Sequence, residues 1–261
     1  MQLGESTWQQ ARALAAEGVP VVVPVASFEQ HGHHLPMLTD TFIGTEIARR
    51  VESELEPYEA VFTPPLWLGA SHHHLTYGAI SLSIETYIRV LMELTESLIS
   101  LGFSRILLLN SHGGNIVPGQ AALTELMIRH RERQDLYLVF ATWFDFVAQR
   151  AAELPNDVVQ KKVIHACEWE TSQILNIRPE LVGEDRPAAR FDFDSDFWQP
   201  DGFVGSRVFV ARTMEQGSST GAFGHPELAT PEKGEALFAL AAREIVTFLR
   251  EFKAWPVQQP G

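Results

Sequence analysis

The sequence predicts an α/β fold, with a mostly parallel sheet covered by helices on both faces. Two observations carry this. Short apolar runs rich in Val, Ile and Leu recur along the chain, of the length of buried strands. Between them lie stretches with apolar residues at helical spacing, the alternation that parallel sheets require. The 261 residues show no repeat, linker or low-complexity tract, so one domain spanning 1–261 is expected.

Ser6–Ala16 reads as a first helix, with Ser6 as N-cap and Gly18 as the stop. Val19–Ala26 reads as a buried strand, although Pro20 and Pro24 argue against a central place for it. A His- and Gly-rich loop leads to a helix from about Thr41 to Leu55, with Pro57 just past its end. Ala60–Leu66 is a second strand. Glu85–Leu101 is a helix with Ile88, Leu91, Leu94 and Leu98 along one face. Arg105–Leu109 is the clearest buried strand. It runs into Asn110–Asn115, and a helix follows to about Arg131. Leu136–Thr142 is a further strand, and a helix is expected over Val158–Leu175. Residues 183–220 are polar, aromatic and Gly-rich, which predicts an irregular lobe. Pro231–Phe252 reads as a closing helix.

Composition excludes several classes of function. The net charge is −13, which disfavours nucleic acid and anionic membranes as partners. No stretch reaches the roughly 18 apolar residues of a membrane span. The first 20 residues show no basic n-region and no apolar h-region, and the single cysteine, Cys167, permits no internal disulfide, so a cytoplasmic protein is expected. P-loop, G-x-G-x-x-G, H-E-x-x-H and G-x-S-x-G motifs are missing, which leaves phosphoryl transfer, dinucleotide redox and serine hydrolysis without support.

Three segments carry candidate chemistry. The first, Glu29-Gln30-His31-Gly32-His33-His34-Leu35-Pro36 with Asp40 beyond, follows the Val19–Ala26 strand, where open α/β sheets bind ligands. Glu29 and His31 are two apart, so in extended chain both reach the same side. Asp40, at the start of the next helix, can return to that point and bridge two metals. The competing reading has Asp40 as a helix cap and His33 and His34 as solvated loop residues. The second, Asn110-Ser111-His112-Gly113-Gly114-Asn115, also follows a strand and would aim His112 into the same crevice. The third is His165-Ala166-Cys167-Glu168-Trp169-Glu170-Thr171-Ser172. On a helix, at about 100° per residue, His165 and Glu168 share a face and Glu170 points elsewhere. That pattern makes Glu168 a ligand, His165 an acid/base or substrate group, and Glu170 a supporting or capping residue. Cys167 is read as a buried structural thiol. Imidazole and carboxylate together suit Zn, Mn, Fe or Ni.

The first segment resembles the E-Q-H-G-x-H-L-P-x-x-x-D-T signature of the creatininase (creatinine amidohydrolase) family. The second resembles its N-G-H-G-G-N turn, with Ser111 for the first Gly. The third resembles its H-A-G-E-x-E-T-S helix, with Cys167 for Gly. Gly78–Leu82 is similar to its G-T-I-S-L stretch and Leu228–Gly234 to its L-A-T-x-E-K-G. The resemblance implies a single α/β/α domain, a two-metal centre with Zn, Mn or Fe, a homo-oligomer, often a hexamer, and hydrolysis of cyclic or linear amide C–N bonds in a small molecule. It implies Glu29, His31, Asp40, His112 and Glu168 as ligands, with Asp40 bridging. True creatininases have Tyr-Glu where this chain has Gly113-Gly114, so the resemblance is to a Gly-Gly branch. Thr76-Tyr77 and His225 also depart from the usual Phe-Pro and Asp.

The mechanism so implied has two ions about 3.5–4 Å apart, and a metal-bound hydroxide attacking the amide carbonyl. His165 hands a proton to the leaving nitrogen, with Glu168 beside it. His73, Trp143 and Trp169 are expected to line the substrate pocket. Alternatives are a formamide hydrolase acting on a ribosylated heterocycle, a peptidase-like enzyme of peptide-cofactor maturation, and a metal-binding relative without activity.

Overall fold

A computed structural model describes residues 1–160, 163–189, 195–198 and 207–257. Four strands, β1 (Val21–Val25), β2 (Val61–Phe62), β3 (Arg105–Asn110) and β4 (Tyr137–Thr142), form one sheet in the order β2-β1-β3-β4. All neighbouring pairs are parallel, with Val23 opposite Leu108 and Leu107 opposite Val139. The helices are α1 (Trp8–Ala16), α2 (Thr39–Glu54), α3 (Ile84–Leu101), α4 (Ile116–Arg129), α5 (Trp143–Ala148), α6 (Glu168–Ile177) and α7 (Pro231–Lys253).

Side-chain alternation along the strands builds two cores. Val21, Val23, Val25, Ile106 and Leu108 pack with residues of α1, α3 and α4. Val22, Leu107 and Leu109 pack with residues of α2, α5, α6 and α7. Each fully buried Leu or Val of this kind contributes about 1.5–3 kcal/mol, and both faces of the sheet need a helical layer. The result is the expected three-layer arrangement.

Helix ends follow local chemistry. Thr7, one residue beyond the expected Ser6, caps α1 by accepting from Gln10 N–H. Ser83 accepts from Thr86 N–H at the start of α3, and Gly102, at φ 117°, ends it in the left-handed conformation. Thr230 accepts from Lys233 N–H to open α7.

Three expectations need correction. First, β1 lies inside the sheet despite its prolines. In a parallel ladder a residue's N–H and C=O face the same neighbour. The Pro24 carbonyl accepts from Leu66 N–H at 2.9 Å, on the β2 side, so the missing donor falls where β2 has already ended. Second, the short helix α5 was not foreseen. A reciprocal Thr142–Asp145 capping box starts it immediately after β4. Third, the helix expected over Val158–Leu175 begins only at Glu168. Ala166 has φ 49°, which no α-helix accommodates, and Cys167 is extended at the N-cap.

The lobe expected over 183–220 falls partly outside the described residues. Its described parts are irregular apart from short features, such as the single turn Met214–Gln216 and a bridge from Ala189 to Gly224. Among the described residues, no helix is long and apolar enough to cross a membrane.

Candidate metal centre

The carboxyl ends of β1 and β3 open onto one crevice, and two asparagines stitch its loops together. Asn110 Nδ2 donates to the His112 carbonyl and its Oδ1 accepts from His112 N–H. Asn115 Nδ2 donates to the Ala26 carbonyl at the end of β1, while its Oδ1 accepts from Ala70 N–H. The turn after β3, the chain after β1 and the loop leading to His72–His74 are thus fixed to one another. Gly114 is where they crowd closest. A Cβ there would overlap the Ala70 carbonyl oxygen and the His112 ring.

Glu29, His31, Asp40 and His112 meet in this crevice, all of them buried. Asp40 Oδ1 lies 3.2 Å from His31 Nε2, and Oδ2 lies 3.1 Å from His112 Nδ1. Oδ2 also accepts from Ser27 Oγ at 2.6 Å. Leu38, not Asp40, is the N-cap of α2, so the carboxylate is free of the capping role and faces both imidazoles. Glu29 Oε1 stands 3.2 Å from His112 Nδ1, 3.2 Å from His74 Nε2 and 3.8 Å from His165 Nδ1.

The far nitrogens of the rings have backbone partners. His31 Nδ1 lies 3.1 Å from the Glu29 carbonyl, and His112 Nε2 lies 3.2 Å from the Ala70 carbonyl. A carbonyl only accepts, so these nitrogens carry the protons. The nitrogens facing the carboxylates, His31 Nε2 and His112 Nδ1, are then lone-pair donors in the neutral rings, the tautomer a metal ligand needs.

Two expected residues behave differently. Glu168 does not join the cluster. Its Oε1 takes Lys233 Nζ at 2.7 Å and Val159 N–H at 3.3 Å, and its Oε2 takes Gln160 N–H at 2.6 Å. Glu170 is the carboxylate that lines the crevice, grouped with His31 and His165. The reason is the late start of α6. His165 precedes the helix, joined by a bridge to Phe223, so face-sharing with Glu168 never arises. His165 itself reaches the site, with Nε2 lying 2.9 Å from the Gln30 carbonyl.

The two tryptophans are also misplaced by the sequence reading. Trp143 and Trp169 are buried in the core, with ring centroids 6.3 Å apart, and Trp169 Nε1 donates to the Gln160 carbonyl. Neither lines the crevice, whereas His73 does. His34 is buried against Thr171, 2.9 Å from its hydroxyl, rather than solvated. His33 is exposed and pairs with Asp185. Cys167 is buried, and burial pushes its thiol up to about 12, in keeping with an inert role.

His74 was not named for the site, and Glu170 was given only a supporting or capping place, yet both fall in the clustered groups. His74 gave a signal, as one of three consecutive histidines. Glu170 gave one only through its place two residues past Glu168.

The electrostatics are those of crowded charges held out of water. Burial works against the imidazolium of His31, yet Asp40, Glu170 and Glu29 together outweigh it and raise the ring to about 9. Burial likewise opposes the Asp40 carboxylate, but His31 and His112 hold it well below the usual range. Burial raises Glu170 to about 7, with Asp40 adding to it and His31 opposing. Burial lowers His165 to about 3 and His73 to about 4.

Glu29 supplies the test of whether a cation belongs here. Both its oxygens are buried without a hydrogen-bond partner, although three ring nitrogens stand close to Oε1. A buried carboxylate left so costs several kcal/mol. Nitrogens near the oxygen but not aligned to donate suit ligands that share an ion. Four groupings, Glu29–His31–Asp40, Glu29–His73–His112, His31–His165–Glu170 and Glu29–His74–His165, each bring donor atoms within 4.8 Å of one another. The donor set, carboxylates and imidazoles with no thiolate, suits Zn, Mn or Fe.

Comparison with known proteins agrees with this geometry. The creatininase family model, described as creatinine amidohydrolase, matches residues 4–249. The chain belongs to the creatininase family. Its members are metal-dependent amidohydrolases. The creatinine amidohydrolase of Pseudomonas putida is 30% identical over 267 residues, covering 95% of this chain and 96% of that protein. The mycofactocin precursor peptide peptidase of Mycolicibacterium smegmatis is 32% identical over 242 residues, covering 91% and 85%. A solved structure titled "Creatininase Mn" superposes with a TM-score of 0.73 at 26% identity, covering 95% of this chain and 97% of that one.

Proposed function

We propose that this creatininase-family protein hydrolyses an amide C–N bond in a small substrate, using two divalent ions. Glu29 and His112 would hold one ion and His31 and Glu170 the other, with Asp40 shared. The observation that carries this reading is Asp40 itself, one oxygen toward His31 and the other toward His112. When bound, the ions supply a water acidic enough to ionise near neutral pH and a Lewis acid for the carbonyl oxygen.

The chain's own residues do the rest. With Nε2–H committed to the Gln30 carbonyl, His165 presents Nδ1 to the crevice. That nitrogen takes a proton from the attacking water as oxygen bonds to the carbonyl carbon. It returns the proton to the nitrogen as the C–N bond breaks, so the leaving group departs as an amine rather than an amide anion. Ile116, Phe144, Val163, Ile164 and Phe223 form an apolar wall that excludes bulk water and receives the non-polar part of the substrate.

A peptide amide is the second reading for the substrate, favoured by the relatives named as mycofactocin precursor peptide peptidases. Gly113 and Gly114 favour a pocket unlike that for creatinine. The reading also carries a homo-oligomer, to be checked by the mass in solution.

The deciding experiment measures metal content and turnover together. Protein loaded with Zn²⁺, Mn²⁺ or Fe²⁺ is assayed on lactams, formamides and short peptides. Two equivalents of bound metal and amide turnover are expected. No cleavage with any metal would sink the proposal.

A further inference from the structure

The cavity around the metal centre has a volume of about 310 Å³, near the lower end of the range for small-molecule sites. Its floor holds the carboxylates and imidazoles, and its wall is apolar. Among the described lining residues there is one Arg or Lys side chain, Arg212. Its guanidinium carbon lies 4.3 Å from the centre of the Trp198 ring and 5.6 Å from that of Phe223. Both are cation–π contacts, which hold the guanidinium beside the two rings at the cavity wall.

The surrounding contacts fix Arg212 relative to the metal centre. Phe223 lines the same cavity, and its N–H donates to the His165 carbonyl at 2.8 Å. Thr213, next in sequence, accepts from the N–H of Gln216 in a capping box. Glu215 in that turn accepts from the Thr76 hydroxyl at 2.7 Å, two residues after His74. The segment bearing the cation is therefore tied to the elements bearing His74 and His165.

We propose that Arg212 receives a free carboxylate on the substrate, so that this site selects amides carrying a negative charge beside an apolar body. The proposal rests on the amide-hydrolase reading above. The chain's net charge of −13 would repel an anion at long range, so its capture needs local positive charge, which Arg212 supplies at the cavity wall apart from any ion on the floor. One arginine matches one carboxylate through a two-point hydrogen-bonded contact. A phosphate ordinarily draws several basic side chains, and the described lining residues include one. N-acyl amino acids and short peptides with a free C-terminus fit this description.

The test uses dipeptides and N-acyl amino acids, each as the free acid and as the corresponding amino alcohol, which lacks the charge and adds no cleavable bond. With zinc-loaded wild type, kcat/KM for the free acid should exceed that for the alcohol by about ten- to a hundredfold, the range of a hydrogen bond to a charged group. Most of the difference should lie in KM. Arg212→Gln should bring the two forms together by weakening the free acid, and Arg212→Lys should retain part of the preference. Equal handling of both forms by wild type would overturn the proposal, as would an equal loss of both in Arg212→Gln.

If no form is cleaved with any metal, the amide-hydrolase reading fails, and Arg212 is judged by calorimetric binding instead. Wild type should bind the free acids more tightly than the alcohols, and Arg212→Gln should lose that difference. Equal binding in wild type, or a difference that survives in Arg212→Gln through carboxylate contact with zinc, would overturn the proposal.

Discussion

Glu168 and Lys233 form a buried ion pair, Oε1 to Nζ at 2.7 Å, that ties the start of α6 to the first turn of α7. Lys233 Nζ also donates to the Leu228 carbonyl, and Gly234 lets α7 approach the Ser172 carbonyl closely. The late Leu228–Gly234 segment, which reads as a signature in the sequence, is thus a clamp. It fixes the end of the helix that carries Glu170 two residues further on.

Removing one partner of that pair should therefore harm folding rather than metal binding. Lys233→Met leaves a buried, uncompensated carboxylate and should cost about 3–5 kcal/mol, seen as a lower thermal midpoint. Glu170→Gln should instead lower bound metal by about ten- to a hundredfold in affinity while the midpoint of the metal-free protein stays near wild type. If Glu168→Gln strips the metal and Glu170→Gln does not, the assignment of the two carboxylates is reversed.

Metal uptake should release protons at neutral pH. In the metal-free protein His31 is raised to about 9 and Glu170 to about 7, so at pH 7 the first is protonated and the second about half so. Both must lose that proton to ligate. Affinity for Zn²⁺ should then rise as pH increases from about 7 to 9, and calorimetric heats at pH 7 should vary with the ionisation enthalpy of the buffer. Heats that do not depend on the buffer would contradict the ligand set.

The sheet was legible because a buried parallel strand must be apolar on both faces, and Val21–Val25 and residues 106–109 are. Glu29, His31, Asp40 and His112 were legible because they sit directly after those strands or at the next helix start. Helical spacing put Glu168 among the ligands and Glu170 in a supporting place, whereas it is Glu170 that lines the crevice. The distinction depends on where α6 begins, and that depends on the left-handed Ala166 and on a lysine 65 positions away. Trp143 and Trp169 misled for a related reason. An aromatic beside a site motif serves the pocket or the core equally well until its neighbours are placed.

The two adjacent glycines after His112 should tolerate substitution very unequally. Nothing lies within 4 Å of a Cβ at Gly113, whereas one at Gly114 would meet the Ala70 carbonyl, the His112 ring and His73 Cε1 at 2.7 Å. Backbone cannot yield as a flexible side chain can. Gly114→Ala should weaken Zn²⁺ binding by at least about tenfold, by displacing the His112 ring, while Gly113→Ala leaves it within about twofold. Competition against a chelator of known affinity measures both. Matched behaviour of the two variants would contradict the close packing at Gly114.

His165 separates chemistry from metal binding. It reaches the crevice through Nδ1, with its other nitrogen bound to the Gln30 carbonyl, and it stands 3.8 Å from Glu29, further than His112 or His74. A proton carrier should be dispensable for occupancy and indispensable for turnover. His165→Ala should keep its complement of zinc and lose about 10²–10⁴ in kcat, the usual worth of a positioned acid/base group. His31→Ala should lose metal and activity together. Added imidazole should restore part of the rate to His165→Ala, because the deletion leaves room for a diffusible base beside Gln30, and should do nothing for His31→Ala. Loss of zinc from His165→Ala would make this residue a ligand, and the proton transfer would then need another group.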